Sequence, residues 1–286
     1  MSMNSFHSRG RRPKAELRER PASARAHGRI RADQLLVEAG LAESRSAARR
    51  MIEAGRVSAD GEPVGKPSQE LAASAQLSVA DDETDRYVSR GGLKLAGALT
   101  HTGLSVADAC CLDVGQSTGG FSDCLLQAGA HQVVGVDVGH GQLHRRLAGD
   151  PRVVCIEGVN ARELDAAALG SHLPATGFDL IVCDASFISL TLLMPRWRAL
   201  LAPAGQVLAL VKPQFEVGPD GLGKGGIVRD ASRYGDVEAR VRHGAGQAGL
   251  AVLDYFDSPI TGGDGNREFF IHASRANYPD APGNTT

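Results

Sequence analysis

The chain has 286 residues, of which 42% are hydrophobic, so it can bury the cores of one large or two modest domains. Its net charge of -2 hides an asymmetry: residues 1–56 carry 13 Lys and Arg against 6 Asp and Glu, while the remainder carries 18 against 27, which indicates that nucleic acid is bound at the N-terminal end. The absence of a signal peptide, of a run of roughly 18 apolar residues and of zinc-site cysteine spacing predicts a cytoplasmic protein without a metal site.

The N-terminal part divides into a tail and a small α+β domain. Residues 1–28 are basic and poor in large apolar side chains, which predicts disorder. In residues 29–85, Asp33 is predicted to cap a helix that ends at Gly40, and Ser44 a second helix that ends at Gly55. An Asp-Gly turn at 60–61 then joins two short strands. Basic residues gather on and near the second helix, which predicts an RNA-binding surface or, alternatively, a solvated face: Arg31, Arg45, Arg49, Arg50 and Arg56.

The larger C-terminal part alternates strands and helices. Residues 86–91 are polar and are predicted to form an interdomain linker, and a polar tail is predicted at 276–286. Between them, the apolar runs predict seven strands, at 110–114, 132–137, 152–156, 179–183, 206–211, 251–257 and 267–272. This pattern predicts an α/β fold over residues 92–275, a doubly wound Rossmann-like sheet whose last two strands are antiparallel neighbours.

The segment L-D-V-G-Q-S-T-G-G-F at 112–121 has the order strand, glycine turn, helix, which is typical of a site for a nucleotide-like ligand. A site for a nicotinamide dinucleotide requires the motif G-x-G-x-x-G, and Ser117 occupies the position of its middle glycine, which disfavours this ligand. A nucleophile elbow matches the letters G-x-S-x-G, but no oxyanion loop precedes it. S-adenosylmethionine carries no phosphate and favours carboxylates such as Asp113, which is predicted to face the ligand, and Asp137. A turn that only packs strand on helix is the fourth possibility.

In a doubly wound sheet the ligand lies at the carboxyl ends of the strands. The residues predicted there are Asp137, Asn160, Asp184, Lys212 and Glu268, with Lys94 in the helix that precedes the first strand. Two lysines and two carboxylates on one rim can activate a ribose 2′-hydroxyl for methyl transfer. The hypothesis is that Lys212 is the base and that Lys94, Asp184 and Glu268 orient it and the hydroxyl.

Two aromatic residues follow the same strand ends. Phe187 and Phe215 are predicted near the rim, where they can either stack on a base that has left its helix or belong to the core. The G-K-G-G segment at 223–226 is predicted to be a mobile loop beside them.

The motifs together resemble the TlyA family, hemolysin-like ribosomal RNA 2′-O-methyltransferases. The resemblance covers residues 29 to 274 and is carried by R-A-D-Q-L-L-V-E-A-G-L at 31–41, S-R-S-A-A-R-R-M-I at 44–52, R-Y-V-S-R-G-G-L-K-L at 86–95, D-V-G-Q-S-T-G-G-F at 113–121, D-A-S-F-I-S-L at 184–190, K-P-Q-F-E at 212–216, G-I-V-R-D at 226–230 and S-P-I-x-G-x-x-G-N-x-E-F-F at 258–270. It implies an RNA-binding domain like that of ribosomal small-subunit protein four, joined to an FtsJ-like class I methyltransferase domain.

The resemblance also implies the chemistry. The methyl donor is S-adenosyl-L-methionine, the acceptor is ribosomal RNA, and the catalytic set is Lys94, Asp184, Lys212 and Glu268. The implied cofactor-binding residues are Gly115, Ser117, Thr118, Gly119 and Gly120 of the turn together with Arg86 and Ser89. They add to Asp113, Asp137 and Asn160, which the strand ends predict. Two positions depart from the pattern: Tyr87 replaces a Trp of some members, and Gln116 stands where Ala is expected, which puts a longer polar group beside the cofactor.

Two other classes of function are considered. A haemolysin-type membrane-active protein requires an amphipathic or apolar span, and none is evident in the sequence. An RNA-binding protein with an inactive methyltransferase fold is disfavoured by the complete set of two lysines and two carboxylates.

Overall fold

The computed structural model describes residues 17–19, 28–42, 44–80, 86–228, 230–263 and 265–276. The chain forms two compact units, residues 1–85 and residues 86–286. Most of the predicted N-terminal tail and residues 277–286 lie outside the described residues. Within that tail, however, Leu17–Glu19 form strand β1, which pairs antiparallel with Leu77–Ala80.

The smaller unit packs two helices beside short strands. Its elements are β2 (Arg29–Arg31), α1 (Ala32–Glu38), α2 (Arg45–Glu53), β3 (Val57–Ala59), β4 (Glu62–Pro63), β5 (Glu70–Ala72) and β6 (Leu77–Ala80). The strands form one sheet in the order β1-β6-β3-β4 and a second pair, β2-β5. Apolar residues of both helices and of β3, β5 and β6 form one buried core, with Leu35, Leu36 and Ile52 among its most buried members.

The two predicted helix starts in this unit have different outcomes. Ser44 caps α2 as predicted, since its Oγ accepts a hydrogen bond from the amide of Ala47. Asp33 does not cap α1: the cap position is Arg31, and Asp33 lies in the first turn, where its carboxylate binds guanidinium groups instead. Asp33 is buried, so pairing with those cations satisfies its charge better than capping one amide would.

The larger unit is the predicted doubly wound sheet. Its elements are α3 (Arg90–Thr102), β7 (Cys110–Val114), α4 (Gly120–Gln127), β8 (Gln132–Asp137), α5 (Arg145–Ala148), β9 (Val153–Glu157), α6 (Ala166–Leu169), β10 (Phe178–Cys183), β11 (Leu201–Val211), α7 (Arg233–Gln247), β12 (Leu250–Asp257) and β13 (Phe269–Arg275). All seven predicted strands are present, and β11 begins five residues earlier than predicted. The predicted fold class is confirmed.

The strand order is β12-β13-β11-β10-β7-β8-β9. Pairs among β7 to β11 are parallel, whereas β13 lies antiparallel to both β11 and β12, as predicted for the last two strands. Alternate strand residues point to opposite faces, so Ile181 and Cys183 join one buried core and Leu180 and Val182 another. The parallel strands therefore bring their carboxyl ends, and the residues that follow them, to one edge.

Candidate active site

The glycine turn leaves β7 and returns into α4. The amides of Gly115 and Gln116 both donate to the carbonyl oxygen of Val136 on β8, at 2.9 and 3.2 Å. A Cβ on Gly120 would lie 2.1 Å from Oγ of Ser89, so only glycine allows the turn to approach that residue so closely. The turn is therefore held between the sheet and the segment that precedes α3.

Asp137 ends β8 beside this turn. Its Oδ2 accepts the amide of Ser117 at 2.8 Å and its Oδ1 accepts the amide of Gly139 at 2.7 Å. Each carboxylate oxygen has a further lone pair, so Asp137 can still accept hydroxyl donors. Oγ of Ser117 donates to Oε1 of Gln142 at 3.1 Å, a partner that does not activate a serine as a nucleophile.

A cavity of about 170 Å³ lies over the turn. Its walls are formed by Ser89, Gly91, Gly115, Gln116, Ser117, Thr118, Gly120, Phe121, Asp184, Ser186 and Lys212. Seven of these residues belong to the predicted site, and they come from four separate parts of the sequence.

The four predicted catalytic residues form two ion pairs. Nζ of Lys212 lies 2.7 Å from Oδ1 of Asp184 on the cavity wall, and it also donates to Oγ of Ser186 at 2.7 Å. Nζ of Lys94 lies 2.6 Å from Oε2 of Glu268, and both side chains of this second pair are buried. The second pair is not part of the cavity wall. Gly91, three residues before Lys94 in α3, lies close to the first pair, because a Cβ on this glycine would lie 3.5 Å from Oδ2 of Asp184.

Asp113 is placed differently from the prediction. Its side chain is fully buried, and Oδ2 accepts the hydroxyl of Ser122 on α4 at 2.7 Å. Residue 113 on the strand thus points toward the covering helix, so its carboxylate does not face the cavity. Burial raises the pKa of Asp113 to about 7, because loss of solvent outweighs the hydrogen bond from Ser122.

Asn160 and Arg86 also lie outside the cavity wall. Oδ1 of Asn160 caps a short 3-10 helix by accepting the amide of Arg162, so this side chain serves the loop after β9. The guanidinium of Arg86 lies over the ring of Tyr87, with its carbon 5.1 Å from the ring centre. The 86–89 segment is fixed to α4 instead, since the amide of Val88 donates to Asp123 at 2.8 Å.

Two loops meet beside Lys212. Phe187, in the loop after β10, is 91% exposed and has φ 63°, and its ring centre lies 5.2 Å from that of Phe215. The buried carboxylate of Glu216 accepts hydrogen bonds from Oγ of Ser189 at 2.6 Å and from the amide of Leu190 at 2.8 Å. These bonds join the loop after β10 to the loop after β11. Exposure excludes a core position for Phe187.

Sequence reasoning did not select several residues of this region. They are Ser186, Glu216, Gln142 and Val138, which is 71% exposed directly after Asp137. An apolar residue directly after a carboxylate at the end of a predicted strand is a signal that the sequence contains for Val138, whereas the partners of Ser186, Gln142 and Glu216 depend on how distant loops meet.

The five predicted RNA-binding arginines of the smaller unit differ in their surroundings. Arg31 and Arg45 share the buried carboxylate of Asp33, which lies 3.0 and 2.9 Å from them. These guanidinium groups, Arg31 first, lower the pKa of Asp33 to about 2. Arg49 pairs with Glu53 along α2.

Arg50 and Arg56 complete the set. Arg50 is exposed on α2. Arg56 lies beyond the end of α2, and its guanidinium donates to the carbonyl oxygen of Ala80. Gly55, with φ 70°, ends the helix before Arg56, so this arginine lies near α2 and does not share a face of the helix with Arg45 and Arg49.

Comparison with known proteins identifies the class of each unit. An FtsJ-like methyltransferase model matches residues 87–275, and an S4 domain model matches residues 30–77. The larger unit is therefore an FtsJ-like methyltransferase domain and the smaller one contains an S4 domain. In the described part of the chain, no helix is both long and apolar enough to cross a membrane.

The relatives narrow this class further. The chain is 46% identical over 242 residues, 85% of its length and 84% of the relative, to the Bacillus subtilis protein YqxC, named as a candidate rRNA methyltransferase. It is 42% identical over 243 residues, 85% of its length and 89% of the relative, to the 16S/23S rRNA (cytidine-2′-O)-methyltransferase TlyA of Mycobacterium tuberculosis. The chain therefore belongs to the TlyA family of FtsJ-like methyltransferases, which confirms the family resemblance seen in the sequence.

A solved structure supports the same relationship. A candidate hemolysin from Streptococcus thermophilus is 41% identical, with a TM-score of 0.68, and the match covers 89% of this chain and 91% of that one.

Proposed function

We propose that this protein transfers a methyl group from S-adenosylmethionine to a ribose 2′-hydroxyl of ribosomal RNA. The observation that carries the proposal is the Lys212–Asp184 ion pair, 2.7 Å long, on the wall of the cavity that covers the glycine turn. A cation and a carboxylate at this position can bind and orient a hydroxyl beside the cofactor. The TlyA relative named as a cytidine-2′-O-methyltransferase supports the choice of acceptor.

The residues around the turn fit S-adenosylmethionine. Asp137 keeps lone pairs for ribose hydroxyls, although each of its oxygens already accepts one amide. Val138 offers an exposed apolar surface for the adenine, and the hydroxyls of Ser89 and Thr118 on the cavity wall can bind the methionine carboxylate. When bound, the cofactor supplies a methyl group on a positively charged sulfur, which is open to in-line attack.

The protein's own residues then prepare the acceptor. Lys212 acts as the general base in its neutral amine form: the amine takes the proton from the 2′-hydroxyl, and the ammonium that forms pairs with Asp184, while Ser186 holds the nitrogen in place. The buried Lys94–Glu268 pair supports α3 and the start of β13 behind the site. Transfer of the methyl group requires the hydroxyl oxygen, the methyl carbon and the sulfur to lie in one line. Holding the acceptor in this geometry therefore contributes much of the rate enhancement.

Phe187 and Phe215 are suited to hold the acceptor nucleotide. An exposed phenylalanine beside a second ring forms a stacking surface for an unpaired base, and base–aromatic stacking contributes about 1–3 kcal/mol. RNA-modifying enzymes bind bases that have left the helix in this way. The S4 domain, through exposed arginines such as Arg50, supplies sequence-independent contacts to phosphates.

The test measures the transfer of a labelled methyl group from S-adenosylmethionine to separated small and large ribosomal subunits that lack the modification. We expect incorporation into at least one subunit, which depends on S-adenosylmethionine. Failure on both subunits, with cofactor binding confirmed by calorimetry, would show that ribosomal RNA is not the substrate.

A further inference from the structure

The cofactor turn contains one long side chain, Gln116, and the structure buries it. Gln116 is 3% exposed, although its neighbours Ser117 and Thr118 are exposed. Its Nε2 donates to Oγ of Ser122 at 2.9 Å, and that hydroxyl donates to Oδ2 of Asp113 at 2.7 Å. A chain of hydrogen bonds therefore joins the turn to α4 and β7. The amide group is packed between α4 and β8, although Gln116 is also one of the residues of the cavity wall.

Gly135, in the middle of β8, provides the space for this amide. A Cβ on Gly135 would lie 2.0 to 2.3 Å from the terminal atoms of Gln116, closer than any real contact. Gly135 does not have a positive φ, so its backbone does not require glycine. The missing side chain is needed because the amide of Gln116 occupies its place.

The backbone of Gln116 takes part in the turn itself. Its amide donates to the carbonyl oxygen of Val136, and its carbonyl oxygen accepts the amide of Gly119 at 2.8 Å. Ser117, the next residue, has φ 48°, which L residues rarely adopt. Gln116 is therefore held through its side chain by Ser122 and by the space at Gly135, and through its backbone by Val136 and Gly119.

We propose that Gln116, seated against Gly135, is a positioning residue that sets the turn for S-adenosylmethionine. The proposal rests on the function proposed above, because it takes the cavity to be the cofactor site. Gln116 acts through the backbone of residues 115–119 and contributes no side-chain contact to the ligand. Gln116 and Gly135 thus form one functional unit, and a change in either alters the effect of a change in the other.

The test is a double-mutant cycle with the full-length protein: wild type, Gln116→Ala, Gly135→Ala and the double variant. The dissociation constant for S-adenosylmethionine is measured by calorimetry without RNA, and the melting temperature of each ligand-free protein is measured in parallel. We expect Gly135→Ala to expel the buried amide and weaken binding about tenfold or more, and Gln116→Ala to weaken it less. The double variant is expected to bind better than Gly135→Ala alone, because the new methyl group enters the space that the amide has left.

Gln132→Ala is the matched control, since Gln132 lies at the start of the same strand and is partly exposed. Its dissociation constant is expected to equal that of the wild type. If Gly135→Ala does not fold, Gln116→Met takes its place, because it keeps the volume but removes the hydrogen bond to Ser122. Weakened binding at an unchanged melting temperature supports positioning.

Two results would overturn the proposal. The first is that Gln116→Ala or Gln116→Met binds S-adenosylmethionine with wild-type affinity. The second is that the dissociation constant of the double variant changes by the product of the two single changes, which would show that Gln116 and Gly135 act independently. Wild-type protein that does not bind S-adenosylmethionine would instead contradict the proposed function, so the two failures are distinguishable.

Discussion

Lys212 and Asp184 follow two adjacent parallel strands, β11 and β10, and their charged groups lie 2.7 Å apart. The pair holds a lysine amine on the wall of the cavity. The same amine binds Ser186, so two side chains of the loop after β10 fix its position.

Substitution of Lys212 is expected to abolish catalysis without loss of cofactor binding. Lys212→Ala removes the proposed base, and general bases contribute about 10²- to 10⁴-fold to the rate. Lys212→Arg keeps a positive charge beside Asp184 but cannot accept a proton, so we expect a similar loss. Single-turnover rates with saturating S-adenosylmethionine measure both variants. An arginine variant that retains most of the wild-type rate would show that only the charge is needed.

Loss of the buried Lys94–Glu268 pair is expected to lower the free energy of unfolding. Glu268→Ala leaves the ammonium of Lys94 buried without a partner, and breaking such a pair destabilises by about 3–5 kcal/mol. Asp257→Ala is the matched control, because Asp257 pairs with Arg267 where both side chains are more than half exposed, and exposed pairs contribute about 0–1 kcal/mol. Urea unfolding of both variants measures the difference. Equal losses of unfolding free energy would contradict the buried character of the first pair.

Asp113 is expected to make stability fall as the pH rises. Burial raises the pKa of this carboxyl to about 7, whereas an unfolded aspartate titrates near pH 3.9. The folded protein therefore keeps a proton that the unfolded chain has lost, and the stability it contributes is complete below about pH 4 and is lost as the pH rises through about 7.

Asp113→Asn removes this titration while keeping the shape of the side chain. The free energy of unfolding of the variant is expected to depend less on pH between about pH 4 and about pH 7. Urea unfolding across that range compares the two proteins. The same pH dependence in both would mean that Asp113 does not hold a proton in the folded state.

The arginines of the S4 domain divide into contact and structural roles. Arg50→Ala is expected to weaken RNA binding and to reduce the slope of log affinity against log salt by about 0.7–0.9, the effect of one lost phosphate contact. Arg56→Ala is expected mainly to lower the melting temperature, because its guanidinium binds the carbonyl oxygen of Ala80. An unchanged salt slope for Arg50→Ala would remove this residue from the RNA surface.

The sequence predicted the parts of the site that follow from strand ends. Asp184 and Lys212 each come directly after an apolar run, and parallel pairing of those runs brings both residues to one edge. Because a doubly wound sheet has this geometry by construction, a correct fold class was enough to predict that these two residues lie together.

The positions of other side chains depend on contacts that no local pattern contains. Asp113, like Asp184, lies at the carboxyl end of a parallel strand, but its side chain points toward α4, where the hydroxyl of Ser122 donates a hydrogen bond to it. Gln116 lies in the turn but is buried because a glycine nineteen residues later, Gly135, leaves space for it. Asp33 has the residue type of a helix cap but binds two arginines, one of them twelve residues away.

The most direct test of the proposed activity locates the transferred methyl group. Ribosomal RNA treated with the protein and S-adenosylmethionine is hydrolysed in alkali, which cannot cleave a linkage whose 2′-oxygen is methylated. We predict one or a few new alkali-resistant linkages that carry the label, and none with Lys212→Ala. Label recovered on a base, with every linkage still cleaved, would contradict 2′-O-methylation as the function of this site.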